Sequence, residues 1–208
     1  GTVTVGVNSV GIFGKEIVQK GIVTVGNGGT GLYSEGGNVT LDSTSKINTG
    51  ANKAVGVFTK GAGQTVTASA GSTMTIGDSS FGFLNEGKGN TINSNVANQT
   101  LGNDGTYIYS SDKSGTVNNN TVLTSTGSYN YGLYSAGTVT NNADINFGTG
   151  LGNVGIYSTY GGNARNLAGK TVTVGASYVD PNNSLNNRYA VAMAAGFNGD
   201  GIPSKAYT

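Results

Sequence analysis

Residues able to do chemistry are few in this chain. It contains no His and no Cys, which removes Ser-His and Cys-based catalysis, the usual structural zinc sites and every disulfide. Carboxylates, lysines and glycine-rich loops remain. Gly26-Asn27-Gly28-Gly29-Thr30-Gly31 and Gly150-Leu151-Gly152-Asn153-Val154-Gly155 both have the GxGxxG spacing. That spacing brings a backbone close to a pyrophosphate only where a helix N-terminus follows. Here each string lies in a turn before an aromatic strand, and its recurrence marks a repeat feature. Gly82 to Lys88 has phosphate-loop spacing, yet Gly89 stands where Ser or Thr would hold magnesium. No nucleotide and no cofactor is expected.

Among the carboxylates, Asp78 and Asp104 make the best pair, since two Asp at ~5–6 Å could cleave a polysaccharide without His. The column they occupy also takes Asn27, Asn52 and Asn103, however, so both read as turn formers. Asn198-Gly199-Asp200-Gly201 has a turn composition and no second acidic partner for calcium. The expectation is therefore no catalytic residue, no metal site and no enzyme.

The surrounding composition points the same way. Of 208 residues, 37 are Gly and only 10% are charged, with eleven Lys and Arg against ten Asp and Glu. The basic residues are scattered, which disfavours nucleic-acid binding. Two prolines and no Gly-X-Y register exclude collagen, and aromatic and branched residues along the whole length exclude a solvated coil. No apolar run reaches ~18 residues, and Gly1-Thr2-Val3-Thr4-Val5 lacks the regions of a signal peptide, so the chain reads as an excerpt beginning in mid-pattern.

Self-comparison supplies the elements that must position these residues. Gly11-Ile12-Phe13-Gly14, Gly31-Leu32-Tyr33-Ser34, Gly56-Val57-Phe58-Thr59, Gly82-Phe83-Leu84-Asn85, Tyr107-Ile108-Tyr109-Ser110, Gly132-Leu133-Tyr134-Ser135 and Gly155-Ile156-Tyr157-Ser158 are copies of one motif. Their spacings are 20, 25, 26, 25, 25 and 23 residues, and a degenerate copy at Ala192-Met193-Ala194 follows after 37. A second β-type run follows each copy, as in Val39-Thr40-Leu41, and a third precedes the next, as in Ile145-Asn146-Phe147. A unit of three short strands cannot bury its own apolar face and must stack on copies of itself. The expected fold is all-β: a right-handed parallel β-helix, a solenoid of about eight rungs of roughly 25 residues with three short strands per rung. Residues 1–174 form the regular rungs. Residues 175–208 continue the solenoid through an irregular rung with an inserted loop at about 177–189.

Strand alternation puts the pairs flanking each motif glycine inside: Val55 with Val57, Phe81 with Phe83, Val154 with Ile156. Glycine and aromatic then share the outer face, so Phe13, Tyr33, Phe58, Tyr109, Tyr134 and Tyr157 form an outward ladder. Such a ladder either stabilises rung stacking or serves as a docking surface for sugar or protein. The asparagine corners, Asn93 with Asn95, Asn118 to Asn120 and Asn141 with Asn142, suit amides bonded from rung to rung. The inserted loop adds two tyrosines and an arginine. Candidate ligand contacts are accordingly Tyr109, Tyr134, Tyr157, Tyr178, Arg188 and Tyr189.

Gly-Leu-Tyr-Ser copies followed by Gly-Thr-Val-Thr or Gly-Asn-Val-Thr and an Ile-Asn or Thr-Ile-Gly strand, without Cys, resemble the passenger domains of large type V autotransporter adhesins, particularly those of fusobacteria. The resemblance covers about residues 2–174. It implies a β-helical passenger displayed on the cell surface, extracellular and anchored through an outer-membrane β-barrel absent from this sequence. The implied role is bacterial adhesion, with a host cell-surface glycan or protein, or a partner bacterium, as ligand. A monomer is expected. A trimeric autotransporter adhesin head and a β-helical polysaccharide-active enzyme are the alternatives.

Overall fold

Short runs of branched and aromatic residues alternating with Thr and Asn suit half-buried strands, and nearly every such run is one. The structure, a computed structural model, describes residues 1–196 and 204–208; the turn at Asn198-Gly199-Asp200-Gly201 lies outside them. The fold is an all-β solenoid of stacked parallel strands. Its one described helical turn is Ser184–Asn186. No described helix is long and apolar enough to cross a membrane.

Three faces wrap one core. The ladder face stacks eight strands in chain order, from Val10–Gly14 to Val191–Ala195. A second, amide-rich face stacks eight from Ile17–Gln19 to Lys205–Tyr207. The third is split into two blocks of four, one ending at Thr73–Thr75 and the other starting at Asn98–Leu101. The solenoid amounts to about six turns, slightly fewer than the eight rungs the motif count suggests.

Like sits on like in the core column of the ladder face. Leu32, Val57, Phe83, Ile108, Leu133 and Ile156 are paired in series on the ladder face, all buried. Ile47 and Leu123 meet them from the third face, and Val39, Val117 and Val139 from the second. Each such side chain contributes roughly 1.5–3 kcal/mol of burial, repeated on every turn.

The motif glycine corrects one expectation. It was expected on the outer face beside the aromatic; it points into the core. A Cβ on Gly132 would lie 2.6 Å from the Gly155 carbonyl, 3.2 Å from Leu123 and 3.3 Å from Phe147. Glycine is therefore required because the third face packs directly against the backbone there. The copy at Thr106–Ser110 proves the direction, since Tyr107 replaces the glycine and is fully buried. Its hydroxyl lies 2.6 Å from Ser94 Oγ, and its ring meets Phe83 edge-on at 5.6 Å. That copy lies in the turn opening the second block of the third face. The residue before each glycine was expected inside; Val55 and Val154 are buried there, though outside the central core cluster, while Phe81 and Tyr131 stay partly exposed. Phe81 and Tyr131 make edge contacts with the ladder rings Tyr109 and Tyr134. Two adjacent inward positions, glycine and aliphatic, break the period-two alternation at this one point.

At the corner after the second face, amides run from rung to rung. Asn119 Nδ2 donates to Asn141 Oδ1 at 2.7 Å and Asn141 Nδ2 to Asn166 Oδ1 at 2.8 Å, all three buried. Parallel outer series join Asn118 to Asn93 and link Asn142, Asn120 and Asn95.

Candidate functional site

The ladder is built by register. Tyr109 pairs with Tyr134 and Tyr134 with Tyr157 on successive strands, so their rings stack at 4.6 Å and 10°, then 5.0 Å and 24°. An earlier section stacks Tyr33 on Phe58 at 4.9 Å; Leu84 interrupts the column between the two sections. After Tyr157 the column holds Ala194, which ends the ladder. Burial against neighbouring rungs, reinforced by Tyr109 and Tyr157, pushes the Tyr134 hydroxyl up to about 12. Burial raises Tyr109 as well. Tyr109 and Tyr134 are therefore uncharged at neutral pH.

Beside the ladder's end, the chain leaves the strand Val172–Ala176 and re-enters at Val191–Ala195. The segment between them closes on itself by an antiparallel bridge in which Tyr178 and Arg188 exchange both backbone hydrogen bonds at 2.9 Å. Asp180 organises its tip. One carboxylate oxygen accepts the Asn182 and Asn183 N–H groups at 2.8 and 3.2 Å, and the other accepts Asn186 Nδ2 at 2.7 Å. The bond from Asn186, with those from the backbone, holds the Asp180 carboxyl below the usual carboxylate range. Asn187 Oδ1 accepts the Asp180 N–H at 2.9 Å.

Two contacts seat this loop on the solenoid. Tyr178 meets Tyr129 edge-on at 6.2 Å. Arg188 passes over Gly152, where a Cβ would stand 2.7 Å from Arg188 Cβ and 3.0 Å from its carbonyl. Gly152 also has φ +61, a conformation few side chains accept.

The loop and the ladder's end together form a groove of about 360 Å³, lined by Tyr131, Tyr134, Gly152, Val154, Tyr157, Asn187, Arg188, Tyr189, Val191 and Ala194. Four of the six expected contacts meet there: Tyr134, Tyr157, Arg188 and Tyr189. Tyr109 lies one rung away in a separate depression of about 410 Å³ with Lys113, Tyr134 and Tyr160. Tyr178 is spent on seating the loop. Tyr131, 39% exposed, and Asn187 and Gly152 were not anticipated. A signal for Gly152 did exist, because it takes the left-handed corner that Ser79 and Asp104 take on earlier rungs.

Asp78 and Asp104, expected in one column, occupy neighbouring ones. Asp78 Oδ1 accepts the Asn103 N–H at 2.9 Å, as Asn27 Oδ1 accepts that of Ala51 and Asn103 Oδ1 that of Ser128. Asp104 belongs to the adjacent column, at φ 53, and accepts from Ser79 Oγ at 3.0 Å. Each carboxylate serves the turn it sits in. Among the described residues, no three His, Cys, Asp or Glu converge to hold a metal. Each glycine string spans a corner and runs into a ladder-face strand, Thr30–Ser34 or Val154–Ser158.

No protein-family model, curated protein or solved structure matches the chain.

Proposed function

We propose that this chain is a surface-displayed segment of an autotransporter-type adhesin, a rigid non-enzymatic solenoid that contacts a host cell or a partner bacterium through the groove between the tyrosine ladder and the loop. The observation that carries the proposal is the folding-back of the one long insertion onto the ladder's end. An insertion that served only to extend a corner would project into solvent; this one is seated by Tyr129 and Gly152 and turns Arg188 and Tyr189 toward the rings. Loops on a rigid scaffold commonly carry recognition, and tyrosines supply contact area at low entropy cost. The absence of Cys suits a chain that crosses membranes unfolded, and the turn-capping duties of Asp78 and Asp104 favour an adhesive over a polysaccharide-cleaving role.

Beads coated with the chain should adhere to host epithelial cells or to co-resident bacteria, and soluble chain should compete the adhesion away. Adhesion that soluble chain fails to compete, or none to either cell type, would make this segment a spacer.

A further inference from the structure

The groove has a charge character as well as a shape. Arg188 is the one charged residue in its lining. No carboxylate balances it, since the sole ion pair among the described residues joins Lys20 to Asp42. Its guanidinium makes one long hydrogen bond, 3.3 Å, to the neighbouring Asn187 carbonyl, which leaves most of its donors directed at solvent. Tyr134, in the same lining, adds no charge at neutral pH, since burial pushes its hydroxyl up to about 12.

Resting on the docking reading above, we infer that the groove takes a carboxylated pyranose, a uronic or sialic acid unit of a surface glycan. Tyr131 and Tyr189, 39% and 61% exposed, offer apolar ring surface to the C–H face of a sugar, while the Tyr131 hydroxyl and the Tyr189 hydroxyl, which accepts Asn187 Nδ2 at 3.3 Å and keeps its own proton to donate, serve its hydroxyls. The guanidinium fork matches a carboxylate with two parallel N–H donors. One cation balances one carboxylate but only part of a phosphate's charge, which favours the acid sugar over a phosphorylated ligand. The volume, about 360 Å³, lies at the lower end of small-molecule sites. It suits one or two sugar rings and is too small for a helix.

Matched saccharides test this on the whole chain. Saturation-transfer NMR and calorimetry would compare 3′-sialyllactose with lactose, and methyl glucuronide with methyl glucoside. At least one acid should bind tenfold or more tightly than its neutral partner, and the preference should weaken with added salt. Arg188→Gln should abolish the preference at unchanged melting temperature, while Arg188→Lys should retain part of it. Equal binding of acid and neutral partners overturns the role of the carboxylate, and binding of none of the four overturns the saccharide class. The docking reading stands or falls separately, on whether cell binding depends on Tyr131 and Tyr189. The wild-type comparison needs no variant, so a misfolded mutant cannot obscure the result.

Discussion

Asn141 sits in the middle of the buried amide series, donating to Asn166 and accepting from Asn119. Asn141→Ala would take the Asn141 donor from the Asn166 Oδ1 and Ala143 carbonyl acceptors and leave Asn119 Nδ2 with the Thr121 carbonyl alone, at a cost of about 1–3 kcal/mol. Asn142→Ala, on the exposed outer series, should cost less than about 0.5 kcal/mol; urea denaturation of the two variants reads the difference directly. The tyrosines give a second prediction. Tyr134 and fully buried Tyr107 both have raised folded-state values, so the unfolded chain ionises first, near ~10. Their contribution is complete below pH ~10 and is lost as pH rises through the folded values, about 12 for Tyr134. Melting temperature should fall over that window, and Tyr134→Phe should flatten the fall. The columns themselves were legible in the sequence, because Leu, Tyr, Ser and Asn recur at fixed spacing. The direction of the motif glycine was not, since period-two alternation assumes an unbroken strand and the glycine is where this strand departs from it. Tyr107 in place of the glycine was the visible clue.

The inserted loop is an element with no core of its own; none of residues 177–190 is buried. Tyr178 and Arg188 already face each other as an antiparallel pair, so replacing 179–187 by a two-residue Asn-Gly turn should close the stem without disturbing the solenoid. Thermal melting should remain within a few degrees of wild type, and a collapse would show that the loop supports the fold. Gly152→Ala acts in the opposite direction, keeping the loop sequence but driving a Cβ into Arg188. The expected result is a displaced loop, read as loss of cross-relaxation between Tyr129 and Tyr178 and faster protease nicking near Leu185, which is 86% exposed. Acid should also loosen the tip. The Asp180 carboxyl is held low, so its contribution is present above the unfolded value of ~3.9 and is lost as pH falls through the folded one. The insertion was visible as a spacing of 37 where neighbouring copies stand 23 to 26 apart. Its return to the ladder was not visible, because Gly152 and Tyr131 lie tens of residues away and only the stacking of turns brings them to Arg188.

At the scale of the molecule, each turn contributes one layer to the same columns, so stability accrues turn by turn rather than in a single centre. The proposed role follows from that geometry: a stiff rod of stacked turns carrying one specialised place where an insertion meets a row of rings. In solution the chain should weigh 20.8 kDa, the mass of one copy, by light scattering; three times that mass would favour the trimeric-head alternative. The central claim is that the groove, rather than the rod as a whole, makes the contact. The most direct measurement is a binding isotherm of labelled chain on the cells it adheres to, for wild type and for Tyr131→Ser/Tyr189→Ser at equal melting temperature. Loss of two aromatic anchors at a true contact site should weaken apparent affinity by at least tenfold. Superimposable isotherms would contradict the claim and place the contact elsewhere on the solenoid.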